Sequence, residues 1–330
     1  MDARHVKINY KTLQDFAMYR ALDDFTLPIW DAPVFLKTDF KSEKAAKDAA
    51  ELLFVGDSIN FQFTYLGGDR KEKRYGFTYK GELWEGAFGM WAALTNAFES
   101  GVPVTDANFL SGMTREEFAG IFGLDKSFMP MVDERLEIFH EIGNVLTGKY
   151  GSSFWNVIEK SKDEEGRARI FNRGNGLVEL LVRDFPSFKD QVVHRGRSVA
   201  FNKRAQLTAI MVYEKLLGMG VEIFPKEDVG LLTVAANYEL PKMLRKLGIL
   251  EYSEDLARKV DDGVQIAYGG EEEVEIRALT IYASMELVAR INRHRPSGSH
   301  INALHIDYLL WSLGRSCKDV RHHYTATTAY

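Results

Sequence analysis

The sequence lacks several features that would assign it to a class directly. Its 330 residues include one cysteine, Cys317. A single thiol excludes an intramolecular disulfide and a zinc site built from several thiolates. No stretch approaches the ~20 apolar residues of a membrane-spanning helix. The opening "MDARHVKINYKTLQDF" carries acids, unlike a secretion signal. We therefore expect a cytoplasmic protein without a membrane partner.

An excess of positive charge is also absent. The chain has 42 Lys and Arg against 47 Asp and Glu, a formal net charge of −5. Proteins that wrap nucleic acid are usually basic, so we expect no direct nucleic-acid partner. The sequence contains no phosphate loop, no H-E-x-x-H and no serine-hydrolase elbow. The composition, 45% hydrophobic and 27% charged, is that of an ordinary soluble globular protein.

Periodicity in the remaining sequence favours helices. Apolar residues recur at helical spacing in residues 8–25, 41–54, 131–146, 197–220, 271–291 and 300–315. Thr114 and Glu117 form a predicted capping box. Ile59, Phe61 and Phe63 alternate with polar neighbours, which is typical of a strand, and Lys80-Gly81 marks a turn. The sequence predicts a mainly α fold, a single domain over 1–330 with a small β element at about 55–83.

Polar residues in apolar surroundings are the candidates for chemistry. Asp57, Ser58 and Asn60 follow an apolar run, and they form either a turn or a pocket wall in which Phe61 or Phe63 stacks on a ligand. Lys203, Arg204 and Gln206 lie in an apolar helix. They form either a solvated face or an inward cationic group that meets a phosphate.

Two further helices carry charges among apolar residues. Glu275 and Arg277 flank Ile276, so they cannot share a helix face, and one of them is expected to point to the core, where a structural salt bridge would hold it. Asp307 either lies on a polar stripe or is buried to receive ring N–H groups.

The segment "TVAANYELPK" reads as the end of a buried helix that is interrupted at Asn237. Asn237 is a good N-cap for a new helix, and Pro241 fits its first turn. A side chain at a helix start lies beside free N–H groups and the positive end of the dipole. Asn237 is therefore either a cap alone or a group that also faces a ligand.

These segments resemble the queuosine salvage family of queuosine 5′-phosphate N-glycosylase/hydrolases. "GDSINFQF" is similar to the family's D-S/T-L/I-N-F-x-F, and "FNKRAQ" is similar to F-Y-K-R-A-Q. "RYGFTYKGELWEG", "ESGVPVT", "MPMVDER", "KYGSSFWN", "EVEIRA", "INALHIDYLLW" and "HHYTATTAY" follow in the family's order and spacing. The resemblance covers nearly the whole chain. It implies a fold similar to the helix-hairpin-helix DNA glycosylases.

The resemblance also implies the reaction. The enzyme cuts the bond between ribose and queuine, a 7-deazaguanine base, and needs no metal or cofactor. The partners are then the nucleotide queuosine 5′-phosphate and its product queuine, bound by a protein that we expect to be a monomer. A 7-deazapurine has carbon where a purine has N7, so the leaving base cannot be protonated there. Carboxylates or amides must stabilise its other edges.

Residue roles follow from the resemblance as expectations. Asp307 and Asp57 face the base, Phe61 stacks on it, and Lys203 binds the 5′-phosphate with His323 as a second cation or donor. Arg277 and Glu275 form a supporting pair. The other substrate-binding candidates are Ser58, Asn60, Arg204 and Tyr238.

One segment departs from the family pattern. The family has F-A-D-Y-R-x-P, with the aspartate as the catalytic acid, where this chain has "AANYELP". Asn237 replaces that aspartate, Ala235 the phenylalanine and Glu239 the arginine. Asparagine keeps the shape but loses the charge, and general-base help is typically worth ~10²–10⁴ in rate. The accompanying changes favour a divergent relative over one inactivating replacement.

Two alternatives to the hydrolase remain open. A divergent relative can be a non-catalytic binder of modified nucleosides or nucleotides. A helical nucleic-acid-binding protein is suggested by fold analogy alone and is disfavoured by the net acidity.

Overall fold

The computed structural model describes residues 3–37, 42–66 and 72–330. The helices of this part are α1 to α14 in chain order: Tyr10–Arg20, Glu43–Ser58, Ala87–Glu99, Ala107–Gly112, Arg115–Phe122, Val132–Lys149, Trp155–Lys160, Leu177–Asp184, Lys203–Gly218, Lys226–Val229, Glu239–Lys246, Glu254–Asp261, Glu271–Asn292 and Ala303–Ser316. The strands are β1 to β8: Val6–Ile8, Thr64–Leu66, Glu72–Arg74, Gly76–Tyr79, Glu82–Glu85, Gln191–His194, Arg197–Ala200 and Leu250–Tyr252. The mainly α prediction is confirmed.

The strands form four two-stranded antiparallel sheets. The pairs are β1 with β8, β2 with β3, β4 with β5, and β6 with β7. Lys80 and Gly81 both have positive φ, 50° and 82°, and make the predicted turn between β4 and β5. The β structure is thus wider than the predicted element at about 55–83, of which 67–71 lie outside the described residues.

Side-chain caps account for six of the helix starts in the described residues, those of α1, α2, α4, α5, α12 and α14. The Thr114–Glu117 capping box is confirmed, since the Thr114 side chain accepts from the Glu117 N–H and Glu117 accepts in return from the Thr114 N–H. The predicted helix over 197–220 begins late. Residues 197–200 pair with β6, and the helix starts only at Lys203.

Two hydrophobic clusters make up the core. The large cluster gathers buried side chains from Val34 to Leu232, with Leu304. The small cluster joins α1 to α11, α13 and α14. Helix α14 contributes to both, through Leu304 on one side and Leu310 on the other. Within the described part of the chain, no helix is long and apolar enough to cross a bilayer.

Candidate active site

A cleft opens where the two clusters meet, and it has two compartments. The arginine compartment is bordered by the charged side chains Arg74, Arg315, Glu85 and Glu239. The tryptophan compartment is walled by Trp30, Trp91, Tyr308, Glu214 and Asp307. The two compartments share Asn60, Ala87, Lys203, Asn237 and Trp311. A ligand with an anionic end and an aromatic end would span both.

Buried cations shape the chain that borders the cleft at residues 58–62. The Arg135 guanidinium donates to the carbonyls of Phe61 at 2.5 Å and Gln62 at 2.7 Å, and also to that of Ile59. Arg204 donates to the Ser58 carbonyl. A buried cation is costly unless it is hydrogen-bonded, so the carbonyls turn towards these groups instead of towards a neighbouring strand. The predicted strand through Ile59, Phe61 and Phe63 is therefore wrong, and β2 begins only at Thr64.

The start of α9 points inward. Lys203 and Arg204 are 4% and 1% exposed, so the solvated-face interpretation is wrong for both. Lys203 Nζ donates to the Asn60 carbonyl at 2.9 Å and lies where the two compartments join. Burial lowers the pKa of Lys203 to about 8, and the nearby Asp57 opposes this shift. Gln206 is also buried, and its carbonyl accepts from the Thr233 N–H at 3.0 Å.

Two carboxylates stand on the wall of the tryptophan compartment. Asp307 accepts from the Ala235 N–H at 2.6 Å, and burial raises its pKa to about 7. Glu214 accepts from the Trp30 indole N–H at 2.7 Å. Burial raises the pKa of Glu214 well above its usual range, and Asp307 raises it further. Asp307 can therefore hold or release a proton near neutral pH, while burial favours the protonated form of Glu214.

Asn237 stands at the start of α11 and faces both compartments. Its Oδ1 accepts from the N–H groups of Glu239 at 2.7 Å and Leu240 at 3.3 Å. This bears out the helix-start interpretation, although the preceding residues 232–237 are irregular and not the tail of a helix. Because Oδ1 is used by the helix, the Nδ2 group is the part of the side chain that remains for a ligand. An aspartate here would cap with one oxygen and present the other.

Comparison with known proteins identifies the family of the chain. The family model described as "Queuosine salvage protein" matches residues 39–330. The chain belongs to the queuosine salvage protein family. Its relatives include a Mus musculus protein, 32% identical over 81% of this chain and 76% of its own, and a Sphaerobacter thermophilus protein, 32% identical over 95% and 88%. A Dictyostelium discoideum relative is 28% identical over 99% and 95%. All three carry the name queuosine 5′-phosphate N-glycosylase/hydrolase.

The family resemblance pointed to Arg277 and Glu275 as a supporting pair, and this expectation is wrong. Both side chains are fully buried, yet they turn to different partners. Arg277 binds Asp190 and Glu273 and donates to the Ala236 carbonyl at 3.2 Å. Glu275 instead accepts N–H groups from residues 4–6 beside β1. Arg277 thus fixes the segment that leads to Asn237, while Glu275 anchors the N-terminal strand.

His323 and Tyr238 differ in their access to the cleft. His323 lies within 3.2 Å of the Tyr330 hydroxyl and outside the lining of both compartments. Burial lowers the pKa of His323 to about 3, so the imidazole is neutral and cannot act as a second cation. Tyr238 lines the arginine compartment, and its ring centroid is 4.5 Å from that of His322.

Asp57, which was expected to face the base, and Ser58 are buried and lie outside the lining of both compartments. Asp57 Oδ1 accepts from the Asn60 side chain at 3.0 Å, while Oδ2 is buried without a hydrogen bond among the described residues. Burial raises the pKa of Asp57 to about 7. Ser58 donates to the Val55 carbonyl at 2.7 Å. Phe61 reaches the arginine compartment, but guanidinium carbons of Arg135 and Arg204 lie 4.1 and 5.3 Å from its ring centroid, which limits stacking on a base.

Several lining residues were missed by sequence reasoning. They are Arg74 at the end of β3, Glu239 in α11, Glu214 in α9, Trp30 before α2, and Tyr308, Trp311 and Arg315 in α14. Each has an ordinary local context, and they meet only through tertiary packing. Arg74, Tyr308 and Trp311 lie in segments that carry the family resemblance, and Glu239 departs from the family's arginine. Among the described residues, no group of three or more potential ligands is suited to a metal ion.

Proposed function

We propose that this protein hydrolyses the N-glycosidic bond of queuosine 5′-phosphate and releases queuine and ribose 5-phosphate. The observation that carries the proposal is the junction of the two compartments at Asn60, Lys203 and Asn237. One side offers guanidinium groups for an anion, and the other offers aromatic walls with carboxylates for a base. The names of the relatives supply the substrate class.

The 5′-phosphate binds in the arginine compartment. Arg74 and Arg315 line it, and Arg315 is held over the rings of Phe88 and Trp311, 4.1 and 5.0 Å from their centroids. Guanidinium groups match phosphate oxygens in geometry and charge. This assignment replaces His323, which is buried and neutral, and leaves Lys203 at the junction near the ribose.

The base binds in the tryptophan compartment with Asp307 on its edge. As the glycosidic bond breaks, positive charge develops on the ribose and negative charge on the leaving base. Asp307 and Lys203 both titrate near neutral pH, so either can be the acid that supplies the proton to the base. Water then adds its hydroxyl to the anomeric carbon and its second proton is released.

Asn237 positions the attacking water but cannot take its proton. An aspartate at 237 would keep the helix cap and add a base. We therefore expect Asn237→Asp to raise kcat by ~10²–10⁴, and Asn237→Ala, which loses the cap as well, to lower it.

The test is to incubate each protein with queuosine 5′-phosphate and follow queuine by chromatography. Release by the native chain, or by Asn237→Asp alone, supports the hydrolase. Release by neither refutes it. Calorimetric binding of the nucleotide without turnover in both proteins would instead support the non-catalytic binder.

We infer further that 1–330 is a single domain, a cytoplasmic monomer without direct contact to nucleic acid, and that its helices are arranged as in the helix-hairpin-helix DNA glycosylases. Light scattering tests the monomer, and superposition on such a glycosylase tests the fold.

A further inference from the structure

The tryptophan compartment holds more carboxyl groups than cations among its described lining residues. Glu214 and Asp307 both line it, and Lys203 is the one cation among its described lining residues. Neither carboxylate has a cation within ion-pair distance in the described part of the chain. Glu214 is 2% exposed, with one oxygen on the Trp30 indole. Burial raises the pKa of Glu214 because no cation lies within ion-pair distance among the described residues, so a cationic ligand bound beside it would favour the ionised form.

Aromatic rings line the same compartment as the Glu214 carboxyl group. The Trp30 ring centroid is 6.3 Å from that of Tyr308 and 6.3 Å from that of Trp311, in edge-to-face contact. Tyr308 and Trp311 stack on each other at 6.2 Å. Ring faces beside a carboxylate are the usual surroundings of an organic ammonium group. The same walls would offer little to an anion.

The position of Glu214 fits a group on the far side of the base. Glu214 follows Lys203 by eleven residues in the same helix, about 16 Å along the helix axis. Lys203 and Asn237 mark the junction where the ribose is placed by the proposed function, on which this step rests. Glu214 therefore lies beyond the base, away from the sugar.

Queuine carries a suitable group there. Its C7 arm is joined through a secondary amine, which is protonated near neutral pH, whereas guanine has no such arm. We propose that Glu214, with Trp30, Tyr308 and Trp311, binds the ammonium group of the C7 arm and so selects queuine nucleotides over ordinary guanine nucleotides.

A purely structural role for Glu214 predicts a different result. Its bond to Trp30 ties residues 28–30 to α9, and a glutamine would keep that bond through its carbonyl oxygen. Glu214→Gln therefore removes the ionisable carboxyl group and spares the anchor. Glu222→Gln, at an exposed position just after α9, is the matched control.

The experiment measures calorimetric binding of two free bases, 7-aminomethyl-7-deazaguanine, which is cationic, and 7-cyano-7-deazaguanine, which is neutral. We expect the native chain and Glu222→Gln to prefer the cationic base by about tenfold or more, and Glu214→Gln to prefer it by less than about threefold. Affinity for the neutral base should be unchanged in Glu214→Gln. No preference in the native chain, an equal loss for both bases in Glu214→Gln, or no binding of either base would overturn the proposal. This experiment cleaves no bond, so its result does not depend on whether the protein hydrolyses the nucleotide.

Discussion

At the scale of single residues, Asp57 is a buried carboxyl group whose Oδ1 accepts from the Asn60 side chain. Its pKa of about 7 lies above the 3.8 of an ordinary aspartate because it is buried. Between these values the folded protein keeps a proton that the unfolded chain has lost, so stability falls as pH rises. Asp57→Asn removes this effect and can still accept from Asn60. We expect the variant to gain stability relative to the native chain from pH 4 to pH 7, by a few kcal/mol.

Urea unfolding at several pH values measures this difference. Asp307 has a similar pKa in both proteins, so its contribution to the pH dependence of stability cancels in the comparison. A stability difference that stays constant with pH would show that Asp57 is ionised throughout.

Arg315 is the residue on which the phosphate assignment depends most directly. Arg315→Gln removes one of the two guanidinium groups of the arginine compartment, and we expect it to weaken binding of queuosine 5′-phosphate by about tenfold or more. Binding of queuosine, which has no phosphate, should change by less than about threefold. Calorimetry on both ligands gives the loss in affinity for each, and the ratio of the two losses measures the contribution of the phosphate.

The control for this prediction is Arg245→Gln, which breaks an exposed ion pair with Asp261 outside the cleft. Equal losses for nucleotide and nucleoside in Arg315→Gln would remove Arg315 from the phosphate site.

At the scale of elements, the contact between α4 and α6 depends on Gly143. A Cβ there would lie 2.5 Å from the Ala107 carbonyl and 2.5 Å from the Ser111 nitrogen, both backbone atoms of α4. Since backbone cannot give way cheaply, Gly143→Ala should push the helices apart. We expect it to lower the free energy of unfolding by about 1–3 kcal/mol.

Gly148 in the same helix is the matched control, because a Cβ at this position would have no atom within 4 Å outside its own helix turn. Gly148→Ala should be neutral or stabilising by up to about 1 kcal/mol. Urea unfolding of both variants measures the two changes in the free energy of unfolding. Equal changes would mean that contact with α4 does not restrict residue 143 to glycine.

Elements with their own local signal could be predicted from the sequence. Helices α1, α6, α13 and α14, the Lys80-Gly81 turn and the Thr114 capping box follow from spacing and turn chemistry. The segment at Ile59–Phe63 could not, because its shape is imposed by Arg135, which is more than 70 residues away in sequence. Alternation there mimics a strand although all five residues are buried.

At the scale of the whole molecule, the site could be predicted only where it lies in motifs. Asn60, Lys203, Asn237 and Asp307 came from four segments and meet in one cleft. Arg277 and Glu275 came from a motif too, but they hold neighbouring segments in place. A sequence motif indicates that the identity of a polar residue is constrained. Tertiary packing determines whether its side chain contacts a ligand or holds a backbone segment in place.

The cleft also lies between the two hydrophobic clusters. A ligand bound in it therefore contacts both clusters and should stabilise the whole fold. Queuine should contact Trp91, which belongs to the large cluster, and Trp311, which packs on the small one. At 100 times its dissociation constant, a ligand bound only by the folded state adds about 2.7 kcal/mol to stability. If the chain unfolds as one domain, the whole transition should shift by this amount.

Tryptophan fluorescence and far-ultraviolet circular dichroism, followed together in urea, measure that shift. Three of the five tryptophans line the compartment, so fluorescence reports the cleft while dichroism reports all helices. Coincident transitions that move together with queuine are the expected result. Two separate transitions, with only one moved by the ligand, would mean that the clusters unfold independently and that 1–330 is not a single domain.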